Sequence, residues 1–139
     1  MEKDSEALDI DKRPLIDVRS ENAKRRCRMR MNEFVRNLVS KNASYILLCM
    51  LAKAPMHGYG LIKTIRKTFG VYLGPSTIYP TLASLERKEL VDSQWDTTGV
   101  RPRKIYNITS EGRQLVTQQN VEFQRMLRVI ATPLIETTT

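Results

Sequence analysis

Apolar residues fall along this chain at helical spacing in four stretches and at strand spacing in two, with turn residues between them. From Asn32 to Lys53, Phe34, Leu38, Tyr45, Leu48 and Ala52 recur with mostly helical periodicity, and Pro55 supplies the stop. Lys41 interrupts that stripe, so the long helix is expected to break between Lys41 and Ser44. Leu61, Ile62, Ile65 and Phe69 form the buried stripe of a second helix, with Gly70 at its C-terminal end. Gly74-Pro75-Ser76-Thr77 combines turn formers with capping hydroxyls ahead of Ile78, Leu82 and Leu85, whose spacing predicts a third helix. Ser76 or Thr77 is expected as its N-cap, because Pro80 then falls within or just past the first turn and removes at most one backbone hydrogen bond.

Leu90 to Trp95 and Lys104 to Thr109 read as two short strands, the second with Tyr106 and Ile108 on one face. Between them, Asp96 to Arg103 is a basic hairpin tip rich in turn formers. Thr109 or Ser110 can cap a last helix, in which Val116, Asn120, Phe123, Leu127 and Ile130 keep the 4, 3, 4, 3 spacing of a short coiled-coil seam. Pro133 is expected to end or kink it. Residues 1–30 are polar and mixed in charge, and read as a mobile arm; 31–112 form the folded domain and 113–139 a C-terminal helix and tail.

A chain of 139 residues can bury one modest core without disulfide or metal staples. Its 23 Lys and Arg against 15 Asp and Glu leave a net charge of +8, which favours a polyanionic partner such as nucleic acid or an anionic membrane. The charge is local: residues 22–41 carry seven basic side chains and one acidic, whereas residues 1–21 carry four and seven. The first twenty residues mix charges, so neither a signal peptide nor a membrane span is expected. Tyr45 to Ala52, the longest apolar run at eight residues, is far shorter than the ~20 a bilayer requires. Cys27 among arginines and Cys49 within that run make no disulfide framework and fit a reducing cytoplasm. The single histidine has no partners at ligand spacing, and no nucleophile–base set, phosphate loop or carboxylate pair is present. Metal, cofactor and enzymatic activity are therefore not expected.

Helix, helix, helix, basic hairpin, helix is the order of a winged helix-turn-helix, a mainly α (α+β) fold whose third helix enters the major groove of duplex DNA. At 100° per residue, Ser76, Pro80, Ala83 and Arg87 fall opposite Ile78, Leu82 and Leu85, with Thr77, Tyr79 and Ser84 flanking. This face is hydroxyl-rich and nearly free of acid. Ser and Thr can bond phosphates or base edges, and Pro80 and Ala83 are small enough to approach thymine methyls. Arg101, Arg103 and Lys104 in the hairpin tip suit phosphates or a narrow minor groove. An ordinary surface helix and a solvated turn are the bland alternatives. Val116, Phe123, Leu127 and Ile130 would be left over once a three-helix core is complete, so they face a partner subunit, their own first helix, or both. Asn120 can fix the register of such a seam. Two subunits would hold recognition helices about 34 Å apart on a palindromic operator. The apolar residues between the long and last helices suit either a pocket for a small-molecule effector or plain dimer core.

Met56-His57-Gly58-Tyr59-Gly60-Leu61-Ile62, Ser76-Thr77-Ile78-Tyr79-Pro80-Thr81-Leu82, and Arg101-Pro102-Arg103-Lys104-Ile105-Tyr106 ahead of Thr109-Ser110-Glu111-Gly112 carry a resemblance to the PadR family of transcriptional regulators over residues 45–116. That resemblance implies a homodimeric winged-helix repressor, with the last helix against the partner subunit and Ser76, Thr77, Tyr79 and Pro80 near the DNA. A single helix after the wing looks like the shorter branch of the family. By the same analogy Tyr59 reaches a phosphate, or else packs between helices. His57 reads as a turn and cap residue rather than a sensor. The long N-terminal extension and Gly60 depart from the family pattern. The Lys24 to Arg30 cluster either tracks DNA backbone beside the site or belongs to a solvated tail. The rival to a promoter regulator is a winged helix with an architectural, replication-termination, RNA-binding or protein-binding role.

Overall fold

A computed structural model describes residues 18–138, with side chains through residue 132. In chain order they form α1 (Val18–Lys41), α2 (Ala43–Lys53), β1 (Met56–His57), α3 (Gly58–Phe69), α4 (Pro75–Arg87), β2 (Val91–Asp96), β3 (Arg103–Ile108) and α5 (Ser110–Thr138). Two compact units divide between Asn37 and Leu38.

The described part of the first unit is helix. α1 begins at Val18 rather than Asn32, because residues 18–31 are dominated by Arg, Met, Ala, Lys and Glu and lack Gly and Pro. Propensity alone carries a helix there, although no buried stripe announces it. Of the arm expected over residues 1–30, the part from Val18 on is helix, and residues 1–17 lie outside the described residues. The break foreseen near Lys41 occurs at Asn42, whose side-chain amide donates to the Leu38 carbonyl at 2.7 Å and satisfies one acceptor at the helix end.

In the second unit, α2 contributes Leu47, Leu48 and Leu51 to the core, α3 adds Leu61 and Ile65, and α4 adds Ile78, Leu82 and Leu85. Val71 and Leu73, in the connection between α3 and α4, are also buried, as are Val91, Tyr106 and Val116 from β2, β3 and α5. The sheet is antiparallel in the order β1-β3-β2. Strand β1, with Met56 opposite Tyr106 and His57 opposite Ile105, was not foreseen, since two residues are too few to show an alternating pattern. β2 and β3 each lie one residue away from the expected limits and pair from Val91–Ile108 to Asp96–Arg103.

Helix α4 starts two or three residues earlier than the hydroxyls suggested. Gly74 is the N-cap and Pro75 takes the first helical position, where its fixed φ is already helical and its missing N–H costs nothing. Thr77 and Ile78 both donate to the Gly74 carbonyl at 3.0 Å. Pro80 therefore sits well inside the helix, and the bond it deletes is the one to the Ser76 carbonyl. The helix ends in a Schellman turn, with Glu89 N–H donating to Glu86 O and Leu90 N–H to Leu85 O, both at 3.0 Å. Glu89 holds the left-handed position at φ 61°, which normally belongs to glycine.

Thr109 caps α5. Its hydroxyl accepts from the Gly112 N–H at 3.1 Å and donates to the Glu89 carbonyl at 2.8 Å, joining the end of the hairpin to the turn after α4. Gly112 lies so close to this turn that a Cβ there would come within 2.2 Å of the Leu90 carbonyl oxygen. Pro133 does not end the last helix, which continues to Thr138.

Candidate nucleic-acid interface

Burial divides α4 by face. Ile78, Leu82 and Leu85 are almost wholly inaccessible, whereas Ser76, Tyr79, Pro80, Ala83 and Arg87 are exposed and Thr77 and Ser84 half-buried on the flanks. No Asp or Glu lies on the exposed face. Tyr79 has a defined seat: its ring covers Gly58 at the start of α3, where a Cβ would stand 2.5 Å from Cε1. A residue without a side chain is thus what lets the aromatic lie against the backbone.

His57 is the N-cap of α3, with Nδ1 accepting from the Gly60 N–H at 2.8 Å. The imidazole covers Gly60 closely enough that a Cβ there would meet Nδ1 at 2.8 Å, a local reason for glycine at this departure from the family pattern. On its other edge, Nε2 lies 3.0 Å from Nη1 of Arg103. A neutral imidazole has one acceptor nitrogen, so the helix cap and the guanidinium compete for it, and Arg103 keeps donors free for another acceptor. His57, Tyr59, Tyr79, Trp95, Arg103 and Lys104 line one open concavity of about 780 Å³ between the start of α3, the exposed face of α4 and the hairpin.

The basic residues of the hairpin are placed unequally. Arg101 is exposed at the tip and Arg103 faces His57. Lys104, expected among phosphate contacts, is partly exposed and paired within the chain, with Nζ 3.5 Å from Glu86 and 5.7 Å from the Tyr106 ring centre. Glu86 also accepts from the Ser93 hydroxyl at 2.5 Å, so this carboxylate ties α4 to both strands. The pair is partly exposed and contributes at most about 1 kcal/mol, so its effect is to orient the hairpin more than to stabilise it. At the tip, Asp96 accepts from the Thr98 hydroxyl at 2.6 Å and the Thr98 N–H at 3.0 Å. These two bonds, the hydroxyl first, hold its carboxyl below the ordinary value.

Tyr59 is exposed, with Lys63 Nζ 5.5 Å from its ring centre. Lys63, Arg66 and Lys67 lie with it on the outer face of α3, a basic surface that sequence reasoning passed over. The signal was available: Lys63 and Lys67 fall opposite Leu61, Ile62 and Ile65 on the helical wheel, with Arg66 on the flank. Trp95, exposed on β2, also lines the concavity, a placement that strand periodicity does not reveal.

The seam of α5 divides. Val116 is buried in its own subunit's core and so is not available to a partner. Asn120 accepts a hydrogen bond from Tyr45 of α2, and the Tyr45 and Phe123 rings meet at 6.0 Å. Burial pushes the Tyr45 hydroxyl and the nearby Cys49 thiol up. From residue 121 to 130 every side chain is exposed, including Phe123, Leu127 and Ile130 together with Val121, Met126 and Val129.

Among the described residues, no helix is long and apolar enough to cross a membrane and no His, Cys, Asp and Glu cluster could hold a metal ion. Comparison with known proteins places the chain. It is 33% identical over 87 residues to an uncharacterized 37.1 kDa protein in transposon TN4556 of Streptomyces fradiae, a match covering 63% of this chain and 24% of that protein. The chain thus spans about a quarter of that relative's length. It is 29% identical over 100 residues to transcriptional regulator Rv3488 of Mycobacterium tuberculosis, covering 72% of this chain and 89% of that one. The fold matches Bacillus subtilis PadR, solved in complex with operator DNA, with a TM-score of 0.53 and 23% identity over 57% of this chain and 45% of that one. The family model for PadR-like transcriptional regulators matches residues 47–118, the region that builds the winged helix described above, and the chain belongs to that family.

Proposed function

We propose that this protein is a cytoplasmic, sequence-specific DNA-binding regulator, acting as a homodimeric repressor on a palindromic operator. The observation that carries the reading is the acid-free outer face of α4, which backs onto an aliphatic core and stands beside Arg103. Ser76 and Thr77 take base edges or phosphates, Pro80 and Ala83 fill the groove, and the Tyr79 hydroxyl donates to a backbone phosphate. Ser84 and Arg87 follow along the flank, while Tyr59, Arg101 and Arg103 fix the backbone on either side. Lys104 acts indirectly, by holding the hairpin against Glu86.

The dimer reading rests on the second half of α5. A run of exposed Phe, Leu, Ile, Met and Val on one helix is costly to leave in water, and a two-fold axis covers it with its own copy. Phe123, Leu127 and Ile130 are the partner-facing residues, with Val116 and Asn120 as the intrachain anchor of the helix. Selection of bound sequences from a random duplex pool tests the whole reading. The expected product is a consensus with two-fold symmetry, and a two-protomer species in equilibrium sedimentation at micromolar concentration. An unselected pool, or a monomer binding a single asymmetric site, would reject it.

A further inference from the structure

Helix α1 carries the chain's densest positive charge. Every residue from 18 to 34 is exposed. Glu21 is paired with Lys24 at 3.5 Å, but among the described residues no ion pair engages Arg25, Arg26, Arg28, Arg30 or Arg36. On the helical wheel, Ala23, Cys27, Met31, Phe34 and Leu38 form a narrow stripe. Arg26 and Arg30 flank it on one side, Lys24 and Arg28 on the other, and Arg25 and Arg36 lie opposite.

Such a helix repels itself. Arg25 and Arg28 stand three apart and Arg26 and Arg30 four apart, spacings at which like charges destabilise a helix. Along α1 only two carboxylates, Glu21 and Glu33, stand against eight Lys and Arg, and a polyanion would neutralise the excess. From Arg25 to Arg36 the helix rises ~16 Å, a length over which duplex DNA carries about ten phosphate charges. An anionic membrane offers charge as well, but it would also need a broad apolar face with aromatic anchors, and this stripe is narrow with one aromatic residue.

We propose that α1 is a second DNA-binding element, a sequence-independent grip on the phosphate backbone that adds affinity without discrimination; the inference rests on the DNA-binding reading above. The test uses the full chain in three forms: parent, R25Q/R26Q/R28Q, and the charge-keeping R25K/R26K/R28K. Affinity is measured against salt for a selected duplex and for a random-sequence duplex, with helicity followed by circular dichroism. The glutamine variant is expected to flatten the plot of log K against log salt by up to about 2.7 for each bound protomer, at ~0.9 per lost contact. It should lose the same factor on both duplexes, so that the specificity ratio stays at the parental value. The lysine variant should keep the parental slope. A parental slope in the glutamine variant overturns the inference alone. So does loss of binding to vesicles rich in anionic lipid while DNA binding is unchanged, and so does a changed specificity ratio. If the parent fails to discriminate the two duplexes, the sequence-specific reading above fails first.

Discussion

Replacing Gly58 with alanine separates the recognition surface from the stability of the fold. The new Cβ would stand 2.5 to 2.7 Å from Cε1, Cζ and Oη of Tyr79, so the ring must retreat by at least 0.9 Å to regain ordinary contact at 3.4 Å. Tyr79 is 43% exposed, so the ring can move outward into solvent. A side chain pushed off its rotamer costs about 0.5–1.5 kcal/mol, while alanine in place of glycine in a helix returns about 1 kcal/mol. The two nearly cancel, and Gly58→Ala is expected to unfold within about 1 kcal/mol of the parent. DNA binding should suffer much more. A hydrogen bond to a charged phosphate is worth about 1.5–3 kcal/mol, and its loss weakens affinity about 10- to 150-fold. Fluorescence anisotropy on the selected duplex, with thermal unfolding in parallel, measures both effects. The decisive comparison is a double-mutant cycle: if glycine acts only by seating the ring, Gly58→Ala adds nothing once Tyr79→Ala is present. Parental affinity in Gly58→Ala, or a full additional loss in the double variant, would refute the reasoning.

Gly112→Ala should behave oppositely, because its Cβ would strike the Leu90 carbonyl oxygen at 2.2 Å and backbone cannot step aside; a loss of about 1–3 kcal/mol in denaturant unfolding is expected, and parental stability would contradict it. Glu89→Gly relieves a left-handed glutamate at φ 61° and should raise stability by about 1 kcal/mol, with no change in DNA affinity. For Asp96, bonded by Thr98, the folded carboxyl titrates below its ordinary 3.8, so the turn it holds is intact above that value and is lost as pH falls through the lower one. The Thr98 amide shift in NMR should accordingly show a midpoint under 3.8; a midpoint at or above it would mean the tip is not closed. Burial pushes the Cys49 thiol up while Cys27 is exposed, so a thiol reagent should label one site quickly and one slowly. Cys27→Ser should remove the fast phase.

Local pattern carried most of the architecture. The stripes on α3 and α4, the glycine stop at Gly70 with φ 69°, the break at Asn42 and the Thr109 cap each depend on residues within a turn or two of one another, and such terms are legible in sequence. So was the division of α4 into an aliphatic side and a small polar one, since helical geometry fixes which residues share a face. What failed locally did so for local reasons. Pro75 outcompeted the hydroxyls at the start of α4, strong helix formers extended α1 back to Val18, and Pro133 proved insufficient to stop α5. Only the tertiary structure decided which charges face outward. Glu86 lies seven residues from Ser93 and eighteen from Lys104, yet it gathers both. His57 reaches Arg103 across 46 residues, Tyr79 rests on Gly58, and Asn120 answers Tyr45 across 75. These contacts join segments brought together by burial of the shared core, and periodicity, which reports only which side of an element is apolar, holds no record of what that side will meet.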